Sequence, residues 1–350
     1  MVHRAILEQL AALVPDMRTR ASDAPAAFPA EDVDHLRRIG VLAAPFDAGE
    51  LFQALRLLGS GNLAVGRILE GHVNALHLIR RFGTAAQSAA ATRDAQDGHL
   101  FAIWNTEAPP GVRLQPDGSL SGRKITVSAA GIATRALITI DQDRDNRMLV
   151  ASLAPGERAG PMQAALQGMR TTASGWVDFH GYRPDPAAWI GGPGDYLREP
   201  DFSAGAWRTL AVLVGGLDRL VEELCRQLRA RGRDGAPLQR ARIASTLIAR
   251  ETAALWVQKC AALLLLNPDP ATLVGYVNLA RSAVERAAFE AMQLTQQSLG
   301  LMALVESNPV ELLLRDLTTY LRQPALDEAI SEAAAHFVDH AFPLITEVAA

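Results

Sequence analysis

The sequence predicts a mainly helical α+β protein built from three successive parts, on two observations. Apolar residues recur at helical spacing over residues 1–100 and again over 196–350, and between them, over 101–195, they gather into short β-prone runs bounded by turn chemistry. The chain has 350 residues, 49% of them apolar and 21% charged, which is ordinary globular composition with enough length for two or three domains. The parts are therefore an N-terminal helical domain (1–100), a strand-rich middle domain (101–195) and a C-terminal helical bundle (196–350).

In the first part, Ile6, Leu7, Leu10 and Leu13, then Val33, Leu36 and Ile39, trace helical faces. An Ala/Pro-rich stretch over 24–29 separates the two, and Pro29 followed by Glu31 and Asp32 suits a helix start. The middle part carries a turn at Pro116-Asp117-Gly118-Ser119 and β-prone runs over 136–140, 148–153 and 176–179. Residues 181–201, rich in Gly, Pro and Asp, read as a linker. Beyond Phe202, apolar periodicity runs over 210–228, 243–266, 273–304 and 310–321, broken at 232–237 and at Asn267-Pro268. Four or five long helices packed as a bundle follow from that pattern.

Composition and motifs exclude several classes. With 34 Lys plus Arg against 38 Asp plus Glu, the net charge of −4 offers no basic field for a nucleic-acid backbone. Cys225 and Cys260 lie in apolar helical stretches and read as small buried hydrophobes rather than a disulfide or zinc framework. The longest apolar run, Cys260 to Leu266, is far shorter than the roughly 18 to 20 residues of a membrane span. The N-terminus has an early acid and no apolar signal-peptide centre, so a cytoplasmic location is expected. No G-x-S-x-G, P-loop or dinucleotide fingerprint occurs. Glu332, His336 and His340 share a helical face, but three groups without an evident fourth do not make a metal site. His72 and His77 sit about 140° apart on a helix and do not share a ligand set, and His72 reads as a hydrogen-bonding core or pocket residue.

Several short strings, in order along the chain, carry a resemblance. They are Phe82-Gly83-Thr84-Ala85-Ala86-Gln87, Thr106-Glu107-Ala108-Pro109, Gly168-Met169-Arg170 with Val177-Asp178-Phe179, residues 231–238 from Arg231 to Leu238, and Arg315-Asp316. Together they resemble the acyl-CoA dehydrogenase superfamily of flavoproteins. The resemblance implies a middle β-barrel, a C-terminal four-helix bundle and FAD extended between them. It assigns Thr106 to the pyrimidine edge of the flavin, Ser128 to the hydroxyl that faces flavin N5, and Arg231 to the pyrophosphate. Thr126 and Ala129 replace the Trp and Asn of the family's segment, and Asp234, Arg242 and Gln296-Gln297 depart from its adenosine-side pattern.

Dehydrogenation of an acyl-thioester needs a carboxylate to remove the α-proton. Counted from Arg315-Asp316, the family's glutamate position falls on Pro324, and the family's alternative position falls on Trp207. Asp327, about one turn beyond Pro324 if the helix continues, is the fallback base, with Glu328 and Glu107 behind it; the competing reading makes Asp327 and Glu328 first-turn acids of a new helix. Arg208 matches a family arginine at the thioester end of the pocket, where it polarises substrate or steers an anion. The expected function is FAD-dependent oxidation of an acyl-thioester or related acid derivative. A flavin monooxygenase or oxidase on the same fold, and a non-enzymatic homologue with a degenerate flavin site, stay open beside it. A homodimer or homotetramer is expected, because residues 210–228 and 273–304 are apolar over more than one face.

Overall fold

A computed structural model describes residues 2–142, 145–162 and 164–343, so the last seven residues of the expected bundle domain lie outside the described residues. The chain begins with five helices: α1 (Val2–Asp23), α2 (Ala30–Arg38), α3 (Ala48–Gly61), α4 (Leu63–Phe82) and α5 (Ala85–Gln96). Their starts are written in side chains. Asp47 and Glu50 close a capping box on α3, Asn62 caps α4 through the amide of Ala64, and Thr84 and Gln87 form a second box on α5. Gln87 also donates from Nε2 to the carbonyls of Ala187 and Trp189, both at 2.8 Å, so this string ties a helix start to the distant end of the strand region.

Among the described residues nine short strands follow: β1 (Phe101–Trp104), β2 (Arg113–Leu114), β3 (Leu120–Ser121), β4 (Arg123–Val127), β5 (Arg135–Gln142), β6 (Asp145–Ser152), β7 (Ala159–Pro161), β8 (Gly175–Asp178) and β9 (Trp189–Ile190). They form a sheet of order β1-β5-β6-β9, a second of order β4-β8-β7, and the pair β2-β3. β1 runs parallel to β5, and the remaining pairs are antiparallel. The expected barrel is corrected here, since no closed barrel joins the described strands. Between the two larger sheets the backbone link is the Glu107–Lys124 bridge, extended by the Ile125 amide on the Thr106 carbonyl at 2.9 Å. A register shift in β4 between Lys124 and Val127, with Thr126 at φ +53°, interrupts the ladder at that seam.

The bundle comprises α6 (Asp201–Ala204), α7 (Trp207–Ala230), α8 (Pro237–Leu266), α9 (Pro270–Leu299), α10 (Pro309–Tyr320) and α11 (Leu326–Asp339). Pro237, Pro270 and Pro309 open α8, α9 and α10, where a missing N–H costs nothing. α7 is the central helix: Val212, Leu213, Val214 and Leu217 are fully buried against α3, α4, α9 and α10. Small residues permit that approach, since a Cβ on Gly215 would sit 2.0 Å from the Arg56 carbonyl and one on Gly59 would sit 2.1 Å from the Val212 carbonyl. Asp218 of α7 adds ion pairs to Arg56 of α3 and Arg250 of α8, both at 2.6 Å.

The apolar surface of α7 is thus covered within the chain, which corrects one of the two stretches, 210–228, on which assembly was expected. In the other stretch, 273–304, Leu301 and Leu304 in the turn after α9 stay exposed, and so do Leu247, Ile248 and Leu255 on α8. Among the described residues no helix is long and apolar enough to cross a membrane.

Candidate functional site

Two neighbouring regions hold the chemistry. At the seam between the sheets, Lys124 is fully buried and donates from Nζ to the Asn105 carbonyl (3.1 Å), Glu107 Oε2 (2.6 Å) and Thr139 Oγ1 (3.1 Å). Glu107 in turn accepts from the Val112 amide at 3.1 Å. This network fixes the 105–107 segment alongside β4 and leaves Thr106 exposed at its crest. Ser128 is half-buried, and its carbonyl accepts the Trp104 indole N–H at 2.9 Å. Thr126 and Ala129, at φ +53° and +57°, lie on either side of it in a left-handed conformation that residues other than glycine rarely adopt. Among the described residues the hydroxyls of Thr106 and Ser128 engage no hydrogen-bond partner.

The second region is a cavity of about 190 Å³ between α4, β1 and the start of α7. Glu70, Asn74 and His77 enter from one face of α4 at i, i+4 and i+7, Arg208 and Thr209 from the first turn of α7, Asp201 and Phe202 from α6, and Tyr196 from the segment before it. Leu78 of α4, Ile103 of β1 and Gln323, just beyond α10, also line the cavity. Glu70 pairs with Arg67 at 2.5 Å and accepts from the Asn74 amide. Asp201 receives His77 Nε2 at 2.7 Å and Arg81 Nε at 3.0 Å. Burial, with Arg208 nearby, lowers the His77 pKa against the opposing pull of Asp201, so the imidazole is neutral at pH 7. Burial also brings Arg208 down to about 10, although Glu70 and Asp201 act to raise it.

Of the residues expected from sequence, Arg208 alone lines this cavity. α10 ends at Tyr320, Ala325 takes a left-handed conformation and α11 starts at Leu326, so the helix on which Asp327 depended does not continue. Asp327 and Glu328 are first-turn acids of α11, so the continuous helix from which the fallback base was counted is absent. Arg231 is exposed at the end of α7, 3.4 Å from Gln227 Oε1. His72 is a core residue: it accepts the Phe101 amide on Nδ1 at 3.0 Å and donates from Nε2 to the Leu42 carbonyl at 2.8 Å. His336 and His340 stack at 4.3 Å, and among the described residues no group of three His, Cys, Asp or Glu is gathered to hold a metal.

Glu70, Asn74, His77 and Asp201 were not singled out from sequence as site residues. A signal existed in the polar stripe at i, i+4 and i+7 on an otherwise apolar helix. Asp201 is 124 residues from His77, and nothing local announces that pairing.

Residues 195–321 match the family model described as acyl-CoA dehydrogenase, C-terminal domain. Solved structures similar over nearly the whole chain include the dibenzothiophene monooxygenase TdsC from Paenibacillus sp. A11-2, at 19% identity over 97% of this chain and 98% of that one, with a TM-score of 0.83. KijD3 in complex with FMN and a dTDP-linked amino-keto sugar is 18% identical over 99% and 95%, with a TM-score of 0.84. Butyryl-CoA dehydrogenase from Megasphaera elsdenii is 16% identical over 96% and 98%, again at 0.84. No curated protein matches the chain in sequence.

Proposed function

We propose that this chain, a member of the acyl-CoA dehydrogenase superfamily by its bundle sequence and its fold, is a flavin-dependent oxidoreductase whose substrate enters the Glu70–Arg208 cavity. The observation that carries the reading is the pair of uncommitted hydroxyls, Thr106 and Ser128, set on the two strand segments that meet at the sheet seam, on a backbone held by buried Lys124. Such donors fit the polar edge of an isoalloxazine, which brings both carbonyl and ring-nitrogen acceptors. The test is spectral: the purified protein is yellow or becomes so on titration with FMN or FAD, and Ser128→Ala and Thr106→Val each weaken flavin affinity about 5- to 30-fold. A protein whose absorbance and flavin fluorescence show no binding of either form overturns the reading. The same titration separates FAD, implied by the sequence resemblance, from FMN, which the KijD3 complex contains.

The flavin, when bound, supplies the two-electron chemistry, and the chain's own residues bind and orient the substrate and handle the proton. Because Asp201 accepts from His77 Nε2, the neutral ring leaves Nδ1 as its proton-accepting atom. Arg208 and Asn74, joined at 2.7 Å, present a fixed polar edge in the same cavity. One observation favours oxygen-using chemistry over α,β-dehydrogenation of an acyl-thioester: the two carboxylates lining the cavity, Glu70 and Asp201, are held by Arg67 and by His77 with Arg81, and Gln323 lines the wall beyond α10. Anaerobic addition of butyryl-CoA is expected to leave the flavin oxidised; bleaching of the flavin by butyryl-CoA would restore the dehydrogenase reading.

Assembly belongs to the same proposal. The exposed Leu247, Ile248 and Leu255 of α8 support a homo-oligomer formed through the bundle, and the exposure of Arg231 supports its reaching a neighbouring copy's flavin.

A further inference from the structure

Arg208 is 7% exposed, on the wall of the cavity. Its NH1 donates to Asn74 Oδ1 at 2.7 Å, and its Nε is buried without a hydrogen-bond partner. Among the described residues no carboxylate makes an ion pair with it. The acids around it are already engaged, Glu70 in an ion pair with Arg67 and Asp201 in one with Arg81 and in a hydrogen bond from the neutral His77. The remaining wall contributes neutral polar groups, Thr209 and Gln323, and an apolar side formed by Leu78, Ile103 and Phe202. The cavity therefore holds one surplus buried cation facing an apolar wall.

A buried guanidinium without a counter-ion is costly, and its cost falls when an anion with hydrogen-bond acceptors reaches it. Guanidinium geometry suits a carboxylate, which offers two oxygens to two N–H groups. The cavity, about 190 Å³, corresponds to roughly six waters at about 30 Å³ each. We propose that the cavity takes a compact organic acid with a free carboxylate, ion-paired to Arg208 and with its short carbon chain against Ile103, Leu78 and Phe202. Asn74 is the positioning residue that holds the guanidinium through NH1. The proposal rests on the reading of this cavity as the substrate site, but it does not depend on the flavin.

The Trp207 ring lies 5.7 Å from the Arg208 guanidinium carbon, so indole fluorescence is a direct readout. The full-length protein is titrated with pentanoate, with pentanamide as the uncharged isostere and with inorganic phosphate as a charge without a chain. Pentanoate is expected to bind at least about tenfold tighter than either control, and Arg208→Gln to remove that preference, with Arg208→Lys intermediate because it keeps the charge and loses the fork. If Arg208→Gln does not fold, the Lys variant and the amide comparison decide alone. Equal affinity for pentanoate and pentanamide, equal affinity for phosphate, no binding of pentanoate, or an unchanged preference in Arg208→Gln overturns the proposal. A protein that binds pentanoate through Arg208 but takes up neither FMN nor FAD refutes the flavin reading and leaves this one standing; a yellow protein indifferent to pentanoate does the reverse.

Discussion

Two buried titratable residues set opposite pH responses. His72 is lowered to about 4 by burial, against a carbonyl contact from Leu42 that acts to raise it, whereas the unfolded chain takes up that proton near 6.5. Folded stability from His72 is therefore present above about 6.5 and is lost as pH falls toward 4. Asp316 is raised to about 6 by burial, while its Oδ1 accepts the Met169 amide at 2.6 Å. The folded state then holds a proton that the unfolded state has released near 3.8, so this group's contribution falls as pH rises toward 6. Each effect is on the order of 3 kcal/mol and the two oppose each other between about pH 4 and 6. Asp316→Asn keeps the acceptor and removes the titration, so urea unfolding of that variant is expected to show a steep acid loss that the parent chain masks. A parallel pH profile for parent and variant would show that Asp316 does not titrate in this window. Asp316 was legible in sequence as half of an Arg-Asp pair, but its partner amide, 147 residues away, was not.

Helices were the most readable elements because their boundaries are local chemistry. Proline at the first position of α8, α9 and α10, and Asp47, Asn62 and Thr84 at the caps of α3, α4 and α5, stand in the chain as start signals. Asp327 shows the limit: whether α10 runs through Pro324 or a new helix begins depends on the Ala325 backbone, which sequence leaves open, and α11 begins there. Glycines in helices read only as weak points until the neighbour is seen. Gly215 of α7 faces the Arg56 carbonyl, where a methyl group would overlap backbone at 2.0 Å. Gly215→Ala is expected to destabilise by about 1 to 3 kcal/mol or more, although alanine is the better helix former by about 1 kcal/mol. Unfolding by heat measures it directly, and an unchanged or raised midpoint would mean that α3 and α7 can part without loss.

At the scale of the molecule, the order of helix, strand and helix was legible from periodicity, and the sheet arrangement was not. Strands of two to eight residues carry little pairing information, and the seam between Glu107 and Lys124 is held by an ion pair of a buried lysine and a half-buried carboxylate 17 residues apart and not by a hydrophobic pattern. The helical covering of α7 was hidden for a related reason. Apolar strings announce that something buries them, but they do not distinguish α3 of the same chain from a second copy. The exposed row on α8 makes a sharper test: Ile248→Glu is expected to shift the protein to the monomer mass in light scattering. An unshifted oligomer would move the interface elsewhere, and a monomeric parent chain would remove it.

The segment through α6 that carries Tyr196, Asp201 and Phe202 forms one side of the cavity, with α4 and the start of α7 on the others. An occupant there touches stretches of chain more than a hundred residues apart, so its binding energy is shared between the segment and the body of the protein. The exposed Arg198 lies in the middle of that segment, three residues before Asp201. Cleavage by trypsin after Arg198 should therefore slow as the cavity fills, in proportion to ligand occupancy. The rate of one peptide cut then becomes a gauge of how full the cavity is, readable on a gel without any knowledge of the reaction it serves.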